Sequence, residues 1–149
     1  MLIGVDARAA AEVPAGRGRV VRELLRALAT LQNDHSFALY CRRPESTLAL
    51  DERFEWRRIT EKDPAWHLRA ARDANRSCDV YFSTNSYLAA WFTRVPTVLL
   101  VYDLIAFVPG ARAQRRAQTI ERATIRPALR RGSRPIPRSC RGEARSGTK

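Results

Sequence analysis

Apolar residues in this chain follow two patterns, short continuous runs and positions repeated at helical spacing. Residues 2–5 form an apolar run that ends at Asp6 and predicts a buried strand. After a loop of small residues and Gly16-Arg17-Gly18, valines and leucines recur every three or four positions between 20 and 31. This spacing predicts an amphipathic helix that begins near Gly18. Further strands are predicted at 37–41, 54–59 (a weaker pattern), 79–83 and 97–102, and a last helix at about 112–126, ended or kinked by Pro127.

Two segments in the middle of the chain have recognisable features. Asp63 followed by Pro64 is typical of a helix start, an N-cap residue and then proline at the first helical position, and this helix should reach about residue 75. The run at 98–101 has no polar alternation, which is typical of a strand covered on both faces. Strands that alternate with helices predict a doubly wound α/β fold, a Rossmann-like parallel sheet with residues 132–149 outside it.

Composition limits the classes of protein to consider. The chain has 149 residues, enough for one domain, with 45% hydrophobic residues and a formal net charge of +12. Residues 111–149 hold 12 of the 27 Lys and Arg but two of the 15 acidic residues, so residues 1–110 carry a net charge of +2. A nearly neutral body gives no reason to expect specific binding of nucleic acid. Polyanion binding would depend on the basic end of the chain.

Cysteine spacing and apolar segments indicate a cytoplasmic protein. Cys41, Cys78 and Cys140 lie far apart without a C-x-x-C pair, which favours reduced thiols over a disulfide framework or a zinc site. Asp6 interrupts the apolar start, so the sequence does not predict a signal peptide. The longest uncharged apolar stretch, at 95–102, has eight residues and contains a proline, which predicts a strand and not a membrane span.

Polar residues follow three of the predicted strands. In a parallel sheet the carboxyl ends of the strands share one edge, and ligands bind beyond that edge. A glycine loop that leads into a helix N-terminus is a cradle for anions. Each residue also has an ordinary structural explanation, because Asp and Asn cap turns, glycine serves tight turns and tyrosine packs. The candidate site residues are Asp6, Gly16, Gly18, Asn85, Tyr102 and Asp103.

A dinucleotide-binding domain is the nearest competing hypothesis. Its G-x-G-x-x-G fingerprint requires a third glycine where the chain has Val21, and an acid after the second strand where the chain has Arg42-Arg43. That basic pair could contact a ribose 2′-phosphate, which keeps an NADP-dependent reductase as a further hypothesis, although solvated charges at a strand end explain it more simply. His35 and His67 show no metal-ligand spacing and are interpreted as solvated and structural. No metal and no cofactor is predicted.

Five blocks of the chain occur in a characteristic order. They are Ile-Gly-Val-Asp-Ala-Arg at 3–8, Gly-Arg-Gly-Arg at 16–19 with Glu-Leu-Leu-Arg-Ala-Leu at 23–28, Phe-Ala-Leu-Tyr at 37–40, Asp-Val-Tyr-Phe-Ser at 79–83 with Asn-Ser-Tyr-Leu at 85–88, and Val-Tyr-Asp-Leu-Ile at 101–105. Together they resemble the N-terminal, acceptor-side domain of family 4 retaining glycosyltransferases of the GT-B fold. The resemblance covers residues 1–131.

The resemblance implies an enzyme that transfers a sugar, with retention, from a nucleotide-diphosphate sugar to a glycan or lipid-linked acceptor. It implies that Gly16 and Gly18 lie against the donor diphosphate, with Asp6 and Asn85 in the same binding site. It implies catalytic positions for Tyr102 and Asp103. Tyr102 stands where the family commonly has a histidine, although a phenol can still donate a hydrogen bond. A site without metal, and a cytoplasmic protein peripheral at the inner face of a membrane, are also implied.

The chain departs from the family in its second half. No two glutamates are separated by seven residues, as the family's E-x7-E element requires, and we expect no C-terminal donor domain within 149 residues. After Arg131 the family has a buried strand, where this chain has a basic segment whose Pro135 and Pro137 lack backbone donors. A truncation or frameshift near residue 131 is therefore predicted, with a natural disordered basic tail at 132–149 as the alternative.

Two functional hypotheses follow from this departure. The first is a glycosyltransferase-like N-terminal domain that is inactive alone, because stabilisation of the leaving diphosphate would be largely missing. The second is a non-catalytic Rossmann-like binding module whose basic tail holds nucleic acid or anionic lipid.

Overall fold

The computed structural model describes residues 1–102, together with Thr119, residues 123–125 and Ala128. Residues 1–102 contain nine elements, and their strands form one sheet in which every neighbouring pair is parallel. The strands are β1 (Leu2–Asp6), β2 (Ser36–Cys41), β3 (Phe54–Arg58), β4 (Val80–Ser83) and β5 (Thr97–Leu99). The helices are α1 (Arg8–Glu12), α2 (Arg17–Thr30), α3 (Ala65–Ser77) and α4 (Ala89–Phe92). The predicted α/β fold with a parallel, Rossmann-like sheet is confirmed.

The order of the strands is β3-β2-β1-β4-β5. The chain moves outward from β1 to β2 and β3, and then returns to place β4 on the other side of β1. The strand order therefore reverses between β1 and β4. In open parallel sheets ligands bind beyond the carboxyl ends of the strands at such a reversal.

Helices cover both faces of the sheet. On one face Val5 of β1 belongs to the same apolar cluster as Leu39 of β2 and Leu25 of α2. On the other face Tyr81 of β4 belongs to a cluster with Trp66 of α3. Each face is closed by large side chains that alternate along the strands, as the short apolar runs of the sequence predict.

The prediction of a loop of small residues after β1 is wrong, because Arg8–Glu12 form the short helix α1. Its three consecutive alanines are strong helix formers. α1 and the segment after it approach α2 so closely that a Cβ on Gly18 would lie 1.6 Å from the carbonyl oxygen of Val13 and 2.6 Å from that of Ala9. The absence of a side chain at Gly18 is therefore what allows this contact.

Two further predictions are wrong. Helix α3 has Pro64 and not Asp63 at its N-cap, because the Asp63 carboxylate is bonded to two arginine side chains instead. Strand β5 ends at Leu99, and Val98 is 53% exposed although the pattern predicts a strand covered on both faces. In the described part of the sheet β5 is an edge strand, where the covering helices leave one of its sides open.

Two predictions lie wholly or largely outside the described residues. Of the helix predicted at 112–126, the structure describes Thr119 and residues 123–125, which are helical, as is Ala128. The basic segment 132–149 is outside the description altogether. None of the helices in the described part of the chain is long and apolar enough to cross a membrane.

Gly18→Ala should lower the free energy of unfolding by about 2–3 kcal/mol, because the obstructing atoms belong to backbone carbonyls, which cannot turn aside as a side chain can. Denaturation in urea, followed by circular dichroism, measures the change. The control is Arg19→Ala at the exposed neighbouring position of α2, which should change the value by less than about 0.5 kcal/mol. Equal unfolding midpoints for the two variants would contradict the close approach of α1 and α2.

Candidate functional site

At the end of β1 a carboxylate and a guanidinium group are buried together. Asp6 is fully buried and Arg8 is 2% exposed. Arg8 donates from Nε to Asp6 Oδ1 at 3.1 Å, from Nη2 to Oδ2 at 3.0 Å, and from its backbone N–H to Oδ1 at 3.3 Å. Burial lowers the pKa of Arg8, but the charge and hydrogen bonds of Asp6 outweigh it, so the net shift is upward. Arg8 therefore stays charged and neutralises Asp6.

The Arg8 side chain also connects β1 to helix α3. Its guanidinium carbon lies 3.7 Å from the centroid of the Trp66 ring, a cation–π contact. Its Nη1 donates to Asp63 Oδ1 at 3.0 Å. Because Trp66 and Asp63 lie at the start of α3, one arginine side chain fixes where that helix meets the carboxyl edge of the sheet.

Asp63 is shared by three partners. Its Oδ1 accepts from Arg8 and from Arg42 Nη2, each at 3.0 Å, and lies 3.5 Å from Nε2 of His67. Arg42 Nη1 also donates to both carboxylate oxygens of Glu12, at 3.2 and 3.0 Å. Both Nη groups of Arg42 are thus engaged in ion pairs. This weakens the hypothesis that the basic pair after β2 receives a ribose 2′-phosphate.

His67 is buried beneath this cluster of charges. It packs edge-on against Trp66 with ring centroids 5.4 Å apart, and it is 2% exposed. Burial, and then the nearby Arg8 cation, lower the pKa of His67 to about 4 despite the attraction of Asp6 and Asp63. The imidazole is therefore neutral near pH 7, which is compatible with the structural role expected for His67 from the sequence.

The segment after β4 completes the reversal point of the sheet. Thr84 Oγ1 donates to the backbone carbonyl of Asp6. This bond joins the ends of β1 and β4 beyond the last residue pair of the two strands. Ser83 Oγ donates to Ser86 O at 2.5 Å, which closes a tight turn around Asn85. The Oδ1 atom of Asn85 is buried and has no hydrogen-bond partner among the described residues.

Helix α2 begins beside this edge. Gly16, its N-cap, has φ 55° and ψ −117°, and a Cβ built on it would meet nothing within 4 Å. This conformation is accessible to glycine and strained for other residues. Arg22, one turn into α2, donates to the carbonyl oxygens of Ala10 at 2.6 Å, Val13 at 3.1 Å and Pro14 at 2.5 Å. The turn that carries Gly16 is therefore held by three bonds from its own helix.

Tyr102 lies three residues beyond the end of β5 and is partly buried. Burial raises the pKa of Tyr102, the Arg17 cation opposes the rise, and the Asp6 carboxylate adds to it. The phenol therefore lies within electrostatic reach of both the start of α2 and the end of β1. Its hydroxyl is buried without a hydrogen-bond partner among the described residues.

The structure thus brings part of the predicted site together. Asp6 ends β1, Asn85 follows the adjacent parallel strand β4, and Tyr102 is influenced by charges at Asp6 and Arg17. The backbone at Gly18 faces the α1 segment and donates its N–H to Ala15 O at 3.2 Å. Asp103 lies outside the described residues.

Residues that the sequence argument missed hold the edge in place. They are Arg8, Arg22, Asp63 and Trp66. An arginine two residues beyond a buried strand, as at position 8, could have signalled a buried partner for Asp6. No group of three or more His, Cys, Asp or Glu in the described part of the chain could hold a metal ion.

Arg8→Met should lower the free energy of unfolding by about 3–5 kcal/mol, because it leaves the Asp6 carboxylate buried without a counter-charge. Adding Asp6→Asn should recover a large part of that loss, since no charge then remains to be compensated. Arg42→Met removes a partly exposed arginine of the same cluster and should cost less than half as much. Urea denaturation of the four proteins measures these values, and equal losses for Arg8→Met and Arg42→Met would contradict the central role of the Asp6–Arg8 pair.

The free energy of unfolding should fall by about 2 kcal/mol between pH 7.5 and pH 5 because of His67. The unfolded chain binds a proton at this histidine near its ordinary pKa of 6.5, whereas the folded chain binds it near 4, so acid favours the unfolded state. His67→Gln should remove most of this slope in denaturation experiments across the same pH range. His35→Gln at the other histidine is the matched control, and loss of the slope there instead would refute the assignment.

Comparisons with known proteins add no family assignment. No protein-family model matches the chain, and no curated protein or solved structure matches it. The resemblance to glycosyltransferases therefore stays a prediction from the sequence.

Proposed function

We propose that this domain forms the acceptor-side wall of a nucleotide-sugar cleft in a retaining, family 4 glycosyltransferase of the GT-B fold. The observation that carries the proposal is the convergence at the reversal point of the sheet. Helix α2 begins at a glycine, an amide follows β4 directly beside β1, and the charges of Asp6 and Arg17 both act on a phenol after β5. These groups have the chemistry that a phosphorylated sugar requires, which is backbone N–H for phosphate and side-chain oxygen for hydroxyl groups.

In this proposal the turn at Gly16 and the N-terminus of α2 receive the donor diphosphate. Open space around Gly16 lets phosphate oxygens approach the backbone closely, and the helix N-terminus contributes a partial positive charge. Arg17 adds a full cation in the first turn. Gly18, which the resemblance also assigned to the diphosphate, acts instead by letting α1 pack on α2 and so fixing where the turn lies.

Tyr102 is the candidate for a hydrogen bond to the donor sugar. A tyrosine phenol is protonated at neutral pH, and burial raises the pKa of Tyr102 further, so it can donate as well as accept. Asn85 offers a buried carbonyl oxygen that a sugar hydroxyl could satisfy, since buried polar atoms are seldom left unpaired. The role of Asp103 beside Tyr102 rests on the resemblance alone.

The Asp6–Arg8 pair acts indirectly in this proposal. A bare carboxylate at the end of β1 would repel a diphosphate, whereas the salt bridge makes the end of that strand electrically neutral. Both residues are buried and bonded to each other, so neither is assigned to contact the donor. Asp6 is therefore a positioning residue for this edge rather than a ligand of the nucleotide sugar.

One wall of such a cleft binds weakly. The helix-dipole contribution to an exposed anion is about 0.3–1 kcal/mol, and a few hydrogen bonds add similar amounts. In the proposed enzyme a second domain would supply the remaining charge that stabilises the leaving diphosphate, which is usually a large part of the rate enhancement. The 149-residue chain should therefore bind donors weakly and should not transfer the sugar by itself.

Titration of the isotope-labelled chain with nucleotide-diphosphate sugars, followed by nuclear magnetic resonance, should show a Kd of about 1 mM or weaker, near −4 kcal/mol. Amide shifts should centre on Gly16, Arg17 and Tyr102. Gly16→Ala should remove them, because the added methyl group strains a left-handed turn and blocks approach to the backbone. Arg26→Ala, which removes an exposed cation of the same helix, is the matched control and should leave the shifts unchanged.

Other outcomes would contradict the proposal in distinct ways. Shifts at Arg42 and Arg43 on addition of NADP, with none for nucleotide sugars, would favour the reductase hypothesis. Micromolar affinity, or sugar transfer by the chain alone, would show that a second wall is unnecessary. Fusion of residues 1–131 to a C-terminal donor domain of the family should restore turnover, and Gly16→Val in that fusion should abolish it.

A further inference from the structure

The two edge strands of the described sheet differ in charge. β3 forms one edge, and three of its five residues are charged, with Arg57 joined to Glu55 and Asp73 in ion pairs. β5 forms the other edge, and the stretch around it, residues 95–102, contains no charged residue. Charged side chains are a usual protection of a sheet edge against pairing with another chain. Within the described part of the chain, β5 lacks this protection.

The backbone of β5 presents hydrogen-bonding groups to its open side. The carbonyl of Pro96 accepts from β4 at 2.9 Å, and the N–H of Leu100 donates to β4 at 3.0 Å. Because the direction of these groups alternates along a strand, Thr97 and Leu99 turn their N–H and C=O groups away from β4. Among the residues that the structure describes, no strand pairs with them on that side.

An exposed valine stands between these two residues. Val98 is 53% exposed, and its register partner on β4 is Phe82, which packs against the apolar cluster that contains Leu25 of α2. Residues in register point to the same face of a sheet, so the Val98 side chain lies on the α2 side. The open edge of β5 therefore combines apolar surface with backbone groups that can pair.

This arrangement fits a second copy of the same strand. A two-fold axis at Val98 sets β5 antiparallel to β5 of the second copy, with Thr97 of each chain opposite Leu99 of the other. Both residues turn their backbone groups outward, so each opposed pair exchanges both of its backbone hydrogen bonds. Val98 then meets Val98 of the second copy as a non-hydrogen-bonded pair, in which side chains approach most closely.

The charges that flank the stretch favour the same orientation. Arg94 is exposed and forms no ion pair with another described residue. In the sequence, Arg94 precedes the uncharged stretch and Asp103 follows it. Antiparallel pairing about Val98 sets the basic end of one stretch opposite the acidic end of the other. Parallel pairing would set like charges side by side, which is unfavourable.

We propose that the open edge of β5 pairs two copies of this chain into a symmetric dimer, with one continuous sheet running through both. Because the paired strands are antiparallel, the two carboxyl edges lie at opposite ends of that sheet. The paired backbone is short and the interface is small, so the dimer is a weak one, with a Kd of about 50 µM. The proposal does not depend on the glycosyltransferase function.

Sedimentation equilibrium of the full chain measures the dimer directly, at about 0.15 M salt to screen its net charge. Val98→Lys sets two ammonium groups against each other at the two-fold axis and should weaken association about tenfold or more. The matched control is Val20→Lys, the same change at a valine of α2 that is 44% exposed. It should leave the Kd within about twofold of the unmodified chain, because α2 lies outside the paired edge.

Cysteine cross-linking tests the register of the two strands. In a Cys140→Ser background, Val98→Cys should form a disulfide between two copies when glutathione disulfide is added. Opposed residues of a non-hydrogen-bonded pair lie about 4.5 Å apart at Cα, within disulfide range. The control is Val101→Cys, an exposed position whose two copies would lie about 20 Å apart along the strands. Cys41 and Cys78 are buried and need no replacement.

The proposal is wrong if the unmodified chain sediments as a monomer at about ten times the expected Kd, or if V98K and V20K associate equally well. It is also wrong if Val98→Cys cross-links no faster than Val101→Cys. A chain that is monomeric alone but binds an extended apolar peptide, with V98K abolishing that binding, would identify a strand of another protein as the occupant instead. Circular dichroism of each variant confirms that its fold is intact, as expected for exposed side chains.

Discussion

The buried pair of Asp6 and Arg8 is the contact on which the carboxyl edge of this sheet depends. Removing two charges from water costs several kcal/mol, and the cost is met only where the geometry is good and other hydrogen bonds are made. Here the guanidinium group satisfies Asp6 twice, rests on Trp66 and reaches Asp63. Strand β1, helix α1 and helix α3 are thus positioned by one side chain, and the neutralised edge no longer repels an anion.

The two glycines of the first loop illustrate how one motif divides into two physical functions. Gly16 occupies a conformation with positive φ and faces open space, so the backbone there is available to a ligand. Gly18 lies two residues further and faces a carbonyl oxygen of the α1 segment, so its value lies in packing. Spacing alone could not distinguish these functions, because both positions require the absence of a side chain.

What could be predicted from the sequence was the part that depends on local pattern. Apolar runs predicted β1, β2 and β4, and helical spacing predicted α2, because burial of one face imposes a period on neighbouring residues. The start of α3 was mistaken because Asp63 pairs with Arg8, 55 positions away in the chain. The exposure of Val98 was missed for the same reason, since a strand's position in the sheet is set by partners remote in sequence. Of the candidate site, the parallel strands that carry Asp6 and precede Asn85 could be predicted, but not the residues that fix their ends.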